Sequence, residues 1–448
     1  MVKHKALSNN SPKYLPVDQI EFVRSSGLDQ AGRVFRWKNE IYRGISASHA
    51  ALYIRLFGGR LKDELEKFGL VPTDISEIST EEYNLVLRHE TIPYVSYPIE
   101  WCSAMLMDAA ILICNLQKRL LTENLVLKDG HPFNILFKGT KPYFVDIGSI
   151  DHFSSRKFRS FFREFTFDFF FPLLLFQAGH QELIDGSFLK FLGLPEPATR
   201  LRFLFPRLLL GRISLADWIS HLSYLIKVKP CIDQSPITAI RRLQHQLLKI
   251  KLRSKDPGQT HSHSNNINSH SSQDIYGNRT EIILAFVDMV SPDSIIVFSD
   301  CDVHLTEALS SHCNHIVDAN RNDDYLNRLY DRNRNNRDQT LLPLRINFSN
   351  PTPPHGPWRL CADSMDRLRS DLGVFLCFKP FANRWLPHTL DDILDQSSRF
   401  AAKWAIFDFQ FSDSTFMKEL HHRLKHRFRS IEVSVLKEGQ RIICLCGK

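Results

Sequence analysis

The chain of 448 residues is too long for one ordinary hydrophobic core, so two domains are expected. Hydrophobic residues make up 43% of the chain and charged residues 24%, which excludes a largely disordered protein. The net charge of +8 is a mild excess for this length and gives no clear indication of nucleic-acid binding.

The amino terminus and the cysteines favour a cytoplasmic protein. Residues 1–13 contain no apolar run, so no secretory signal is expected. None of the nine cysteines belongs to a Cys-x-x-Cys pair, and reduced thiols buried in cores are the simplest interpretation. The apolar run at 165–176 contains Asp168 and Pro172, and it is shorter than the roughly 20 residues of a transmembrane helix. We expect a buried helical segment there and no transmembrane segment.

The first half of the chain predicts a small sheet followed by helices. Alternating residues at 32–44 predict a β-hairpin, and helical patterns follow at 47–57, 59–68 and 103–121. Further helices are expected at 213–226 and 237–251. A loop rich in catalytic-type residues lies between the sheet and the later helices. This order predicts a mostly helical, α+β kinase-like domain over residues 1–252.

Residues 253–279 predict a disordered linker, because they are rich in Ser, His, Asn and Gln and poor in large apolar side chains. Beyond it, strand patterns alternate with helical ones, which predicts a parallel sheet covered by helices in a domain over 280–448. The last two strands, at 430–436 and 441–446, are separated by four residues and must form an antiparallel hairpin. Seven strands ending in this hairpin indicate a Rossmann-like domain with the layout of S-adenosylmethionine (SAM) methyltransferases.

One candidate site is the segment Leu-Lys-Asp-Gly-His-Pro-Phe-Asn at 127–134, followed by Phe-Val-Asp-Ile-Gly-Ser at 144–149. It contains Asp129, Asn134 and Asp146 in the order that kinase-like enzymes use around Mg-ATP. In that arrangement Asp129 accepts a proton from the phosphoryl acceptor, while Asn134 and Asp146 bind the metal. An alternative remains open, namely a turn Asp and a helix-capping Asp in an unrelated fold. No glycine-rich phosphate loop precedes the segment, and Arg43 is the nearest candidate for a phosphate-binding cation.

The second candidate site follows the first strand of the predicted Rossmann-like domain. A SAM-binding loop usually carries glycines here, but this chain has Asp300 and His304 at the expected positions, with Asp302 between them. Asp318 ends the second strand, where a carboxylate can bind ribose hydroxyls, although a helix-capping role is the alternative. Asn347 follows the third strand on the edge where ligands of such sheets bind. We therefore consider Asp300, Asp302, Asp318 and Asn347 as candidate cofactor-binding residues.

Several of these segments resemble a known family. The stretch at 89–101, with its Tyr-Pro-Ile-Glu-Trp, and the motifs at 127–134 and 144–149 are similar to bacterial two-part proteins described as SAM-dependent methyltransferases. This group includes the NoeA-type host-specificity proteins of nodulating rhizobia. The resemblance implies methyl transfer from SAM and a role in making the nodulation signal or a related surface glycan. The chain departs from the group in the SAM loop and at Lys379-Pro-Phe381, which weakens the case for catalysis without altering the strand pattern.

Three hypotheses follow from the sequence. The first is a SAM-dependent methyltransferase-like protein that acts on a small-molecule or glycan acceptor in nodulation. The second is an Mg-ATP-dependent phosphotransferase for small molecules that uses Asp129, Asn134 and Asp146. The third is a non-catalytic pseudoenzyme that serves as a binding module. The sequence does not indicate the acceptor or the oligomeric state.

Overall fold

The computed structural model describes residues 13–27, 29–179, 235–252, 272–299, 301–336, 339–355, 360–378, 390–410, 414–436 and 441–448. Two larger sheets organise these residues, a five-stranded antiparallel sheet in the first half and a seven-stranded sheet in the second. The chain is therefore an α/β protein. No helix among the described residues is long and apolar enough to cross a membrane.

The strands of the first half are short. They are β1 (Lys13–Tyr14), β2 (Glu21–Phe22), β3 (Gly32–Trp37), β4 (Glu40–Ile45), β5 (Thr73–Ile75), β6 (Ile78–Ser79), β7 (Leu85–His89), β8 (Leu125–Leu127), β9 (Ile135–Lys138), β10 (Lys141–Phe144) and β11 (Ile150–His152). The five-stranded sheet has the order β2-β3-β4-β7-β5, and β9 pairs with β10 as a separate hairpin. The predicted hairpin at 32–44 is confirmed. Its two-residue turn is left-handed at Lys38 (φ 49°) and Asn39 (φ 63°), as a tight hairpin requires.

The helices of the first half lie close to their predicted positions. They are α1 (Ala50–Phe57), α2 (Arg60–Lys67), α3 (Ser103–Leu121), α4 (Ser155–Phe165), α5 (Phe171–Ala178) and α6 (Pro236–Leu247). The apolar run at 165–176 is helical and largely buried, with a π-helical turn at Thr166–Phe170 between α4 and α5. The helix predicted at 213–226 lies outside the described residues.

Helix α3 is the centre of the first half. Its residues Met105, Ala109, Ile113 and Leu116 are almost wholly inaccessible to solvent, and the spacing of three and four residues puts them on one face. The helix packs against β8, β10 and α6. Because β8 leads directly into the Asp129 loop, burial of α3 fixes the position of that loop.

The seven-stranded sheet has the order expected from the hairpin at its end. Its strands are β12 (Ser294–Phe298), β13 (His315–Asn320), β14 (Leu341–Arg345), β15 (Ser370–Phe378), β16 (Ala401–Gln410), β17 (Ser430–Leu436) and β18 (Arg441–Gly447). They run in the order β14-β13-β12-β15-β16-β18-β17; β18 is antiparallel to both β16 and β17, and the other paired strands are parallel. β13 and β14 lie on one side of β12 and β15 lies on the other, so the carboxyl end of β12 lies at the switch point where such sheets bind ligands.

Helices cover this sheet. They are α7 (Ser272–Val290), α8 (Val303–Ser310), α9 (Asp323–Asn336), α10 (Ser364–Arg367), α11 (Leu390–Phe400) and α12 (Ser414–Lys425). Helix α7 begins inside the segment predicted as a linker, and residues 253–271 of that segment lie outside the described part of the chain. The helical pattern of α7 was overlooked because polar residues occupy its first turns.

The two halves are joined by polar contacts at the start of α3. The Cys102 side chain gives no cap to this helix, so its first amides bond across the interface. The amide of Ser103 donates to Asp323 (3.3 Å), and the amide of Ala104 donates to Asn327 (2.9 Å), both on α9. One turn further, the hydroxyl of Tyr330 donates to Asp108 (2.9 Å). Helix α9 of the second half therefore caps the central helix of the first half.

Candidate functional site

In the first half, Arg43 links two acidic side chains that are distant in sequence. It is 4% exposed and lies on β4, in the middle of the five-stranded sheet. Its guanidinium donates to Asp29, in the turn before β3, and to Asp146 at 3.0 Å. Asp146 directly follows the β9–β10 hairpin. The ion pairs therefore tie the sheet to the segment predicted to bind a metal.

The glycine of Asp146-Ile-Gly leaves room for this ion pair. A Cβ atom at Gly148 would clash with Oδ2 of Asp29 and with Nη1 of Arg43, so the ends of both side chains would have to move. Helix α1 supports the same segment, because the buried hydroxyl of Tyr53 donates to the carbonyl of Ile147 (3.0 Å). Burial raises the pKa of Tyr53, so this hydroxyl remains protonated and keeps its role as donor.

Asp129 lies beside Asp146 in a loop held by backbone contacts. Its amide donates to the hydroxyl of Ser149 (3.0 Å), and the amide of Gly130 donates to Glu164 on α4 (3.0 Å). Burial raises the pKa of Asp129, and the negative charge of Asp146 raises it further. A carboxylate with a raised pKa is better matched to accepting and returning a proton near neutral pH.

Two polar atoms of this loop are buried without a hydrogen-bond partner among the described residues. They are Nδ1 of His131 and Nδ2 of Asn134. Burial lowers the pKa of His131, so its ring is neutral near pH 7 and one ring nitrogen can accept a hydrogen bond. Buried polar atoms are normally paired, and unpaired ones often mark a functional site. In the described part of the chain, no three His, Cys, Asp or Glu side chains are grouped so as to hold a metal.

In the second half, Asp318 is fully buried on β13. One carboxylate oxygen accepts from the hydroxyl of Ser299 (2.9 Å), and the other accepts from Thr306 and Tyr325 (2.7 Å each). The strand continues two residues past Asp318, to Asn320. Asp318 therefore accepts hydrogen bonds inside the protein and does not cap a helix.

The loop between β12 and α8 contains a non-glycine residue in a left-handed backbone conformation. Cys301 adopts φ 71°, a left-handed conformation that favours glycine, whereas His304 lies within α8. Among the described loop residues, Cys301 is therefore where glycine would be favoured, and not His304 as the sequence suggested. Asp302 caps α8 by accepting from the amide of Leu305 (3.1 Å) and lies 3.9 Å from Arg279. Asp300 lies outside the described residues.

Asn347 follows β14, as predicted, and stabilises its own turn. Its side-chain oxygen accepts from the amide of Ser349 (3.1 Å). Further along this connection, the ring of His355 packs against Tyr97 (centroids 5.2 Å apart) and Phe133 (6.3 Å). Phe133 belongs to the Asp129 loop, so the connection after β14 contacts the first candidate site.

Sequence reasoning found the acids at both sites and missed most of the groups that surround them. Asp29 was missed because it lies about 100 residues from the motif it contacts. Ser299 could have been found, since it is the first residue after β12, at the edge where such sheets bind ligands. Tyr325 is seven residues beyond Asp318, in the next helix, and no short motif links the two.

Comparison with known proteins supports the resemblance noted from the motifs. No protein-family model matches the chain. The chain is similar to nodulation protein NoeA of Rhizobium meliloti (strain 1021), with 27% identity over 224 residues. The similarity covers 48% of this chain and 44% of NoeA, so the match spans less than half the length of that relative. The predicted similarity to NoeA-type proteins is confirmed over that stretch.

Solved structures that match part of this chain include methyltransferases. N-methyltransferase NodS from Bradyrhizobium japonicum WM9 is 10% identical, with 39% of this chain and 96% of that chain covered and a TM-score of 0.30. Magnesium protoporphyrin IX methyltransferase from Synechocystis PCC 6803 is 8% identical, with 41% of this chain and 86% of that chain covered and a TM-score of 0.28.

Proposed function

We propose that this protein acts in host-specific nodulation as a SAM-dependent methyltransferase, on the nodulation signal or a related surface glycan. The sequence similarity to NoeA supports the nodulation role. The observation that carries the methyltransferase role is the seven-stranded sheet with its reversed strand β18, which has Asp318 next to the loop that leaves β12. The acceptor would approach the same carboxyl edge of the sheet.

The residue types at this edge suit SAM, but the hydrogen bonds that Asp318 already makes within the protein do not leave it ready to bind the cofactor. An acidic side chain on the second strand and the amino terminus of a helix after the first strand suit the ribose and the methionine part of SAM. However, hydroxyl groups of the protein already satisfy both oxygens of Asp318. When bound, SAM supplies an electrophilic methyl group. Asp318 would hold the nucleoside, with Asp302 and Asn347 as further candidates along the edge.

Isothermal titration of the full chain with SAM and with S-adenosylhomocysteine tests the proposal. We expect measurable heat with both ligands and its loss in Asp318→Asn, because the variant keeps the shape but removes the charge that attracts ribose hydroxyls. The variant Asp74→Asn is the control, since Asp74 is an exposed acid on β5. Absence of heat at millimolar ligand, from protein with an intact melting transition, would exclude the SAM-dependent function.

A second candidate function is Mg-ATP-dependent phosphoryl transfer to a small molecule. The contact between Arg43 and Asp146 favours this function. It joins a cation on β4 to the predicted metal ligand, which lies 103 residues further along the chain. In this function Arg43 would contact the phosphates, Asn134 and Asp146 would hold Mg²⁺, and Asp129 would accept the proton of the attacking hydroxyl. The buried Nδ2 of Asn134 has no hydrogen-bond partner among the described residues, which is consistent with a side chain that binds a ligand. The pairing of Asp146 with Arg43 competes with metal binding.

Thermal unfolding with and without Mg-ATP tests the second function, because a ligand that binds only the folded state raises Tm. We expect the rise to disappear in Asp146→Asn and to persist in Asp74→Asn. A rise that is unchanged in Asp146→Asn would contradict this function. If neither SAM nor Mg-ATP binds, the non-catalytic hypothesis remains, and it predicts that Asp129→Ala with Asp318→Ala leaves nodulation intact.

A further inference from the structure

The hydroxyl groups around Asp318 have the pattern of a ribose diol. A nucleoside presents two adjacent hydroxyls, each able to donate to one oxygen of a carboxylate. In this chain Ser299 donates to Oδ1 of Asp318 and Tyr325 donates to Oδ2. The two side-chain oxygens lie 3.3 Å apart. The protein itself therefore provides the contacts that a bound nucleoside would make.

The three hydroxyl donors differ in their access to solvent. Thr306 and Tyr325 are fully buried, whereas Ser299 is partly exposed. Ser299 is also held by Asn320, which donates to its carbonyl oxygen (2.9 Å) and to its hydroxyl (3.0 Å). A ligand that reaches Asp318 from solvent must therefore displace Ser299 first, and its second hydroxyl must then displace Tyr325.

We infer that Ser299 and Tyr325 compete internally with ribose for Asp318 and thereby set the affinity of this site for nucleosides. The inference deepens the proposed methyltransferase function and rests on it. A hydrogen bond to a charged acceptor is stronger than one between neutral groups, so a nucleoside gains little when it merely exchanges one such donor for another. Removing Ser299 and Tyr325 as donors leaves fewer protein hydroxyls for a ligand to displace from Asp318, which favours binding.

The test is titration of the full chain with S-adenosylhomocysteine in the unmodified protein, Ser299→Ala, and Ser299→Ala with Tyr325→Phe. We expect an affinity gain of at least tenfold in the double variant and a smaller gain in the single variant. Ser311→Ala is the control, because it removes an exposed hydroxyl that donates to the carbonyl of Ala308 and not to Asp318, so it should leave the affinity unchanged. Melting curves verify that each variant is folded, and Ser299→Gly replaces Ser299→Ala if the latter is not.

Adenosine and 2′,3′-dideoxyadenosine separate competition for the diol from a general loosening of the site. The gain should appear with adenosine and be absent with the dideoxy compound. Equal affinity of all variants for S-adenosylhomocysteine would overturn the inference while leaving the proposed function intact. Binding only by the variants would support the inference and overturn the use of SAM by the unmodified protein. Absence of binding in every variant would overturn both.

Discussion

The two candidate sites each contain a carboxylate from a predicted motif, and they satisfy it in opposite ways. Asp146 is paired with the permanently charged Arg43, which also contacts Asp29. Asp318 receives three neutral hydroxyl groups. The first site is thus an ionic one, in which a buried cation balances two carboxylates, whereas the second pairs its carboxylate with hydroxyl groups.

The largest effect is expected from breaking the ionic site. Arg43→Met leaves the carboxylates of Asp29 and Asp146 without their cation, and removing one partner of a buried pair typically lowers the free energy of unfolding by about 3–5 kcal/mol. Chemical denaturation measures the loss. Arg88→Met is the control, because the pair between Arg88 and Glu40 is largely exposed and should contribute at most about 1 kcal/mol.

Neutralising one acid should restore part of the stability lost in Arg43→Met. The double variant with Asp29→Asn is expected to be more stable than Arg43→Met alone, because it removes one uncompensated negative charge. If Arg43→Met were as stable as Arg88→Met, the ionic description of this site would be wrong.

A smaller effect is expected when one hydroxyl is removed from the second site. Thr306→Val preserves the shape of a fully buried side chain and deletes its bond to Asp318 (2.7 Å). The free energy of unfolding should fall by about 1.5–3 kcal/mol, the usual range for a hydrogen bond to a charged group. Two of the three hydroxyl donors to Asp318 remain in this variant. A loss of stability as large as that of Arg43→Met would therefore contradict the description of Asp318 as an acceptor shared by three hydroxyls.

Acid should weaken the first half through His89. This buried residue on β7 bonds to Thr73 through Nδ1, and burial, with a smaller contribution from Arg43, lowers the pKa of its ring to about 3. Its folded-state pKa lies below the unfolded value of about 6.5, so the unfolded chain binds the extra proton and stability is lost as pH falls from 6.5 towards 3.

Between pH 7 and pH 5 this loss should amount to about 2 kcal/mol, from roughly 1.5 units at 1.36 kcal/mol per unit. Denaturation at both pH values, in the unmodified chain and in His89→Gln, measures it. The variant carries no titrating ring at this position and should lose correspondingly less. An identical pH dependence in the two proteins would show that His89 does not carry the effect.

Strand and helix periodicity was sufficient to predict the seven-stranded sheet. β12 and β17 begin and end at the predicted residues, since each is a short run of strand-forming side chains with clear breaks on both sides. The hairpin of β17 and β18 followed from the length of its loop. The first turns of α7 were missed because their polar composition is typical of linkers as well as of helix ends.

The candidate sites were less predictable, because their geometry depends on contacts between distant segments. The motif at 127–134 indicated Asp129 and Asn134, but nothing near it in the sequence indicates that Asp29 shares Arg43 with Asp146. In the second half, the absence of glycine suggested strain at His304, whereas Cys301 adopts the left-handed conformation. The course of such a loop is decided by packing that the sequence does not reveal.

Helix α9 has a practical consequence for anyone who wishes to dissect this protein. It supplies Asp323 and Asn327 to amides at the start of α3, which otherwise lack a cap. A truncated form ending before α7 would expose those amides, together with the surface that Tyr330 covers. A fragment of the first half should therefore be engineered with a substitute cap, such as Cys102→Ser, before that half is judged unable to fold by itself.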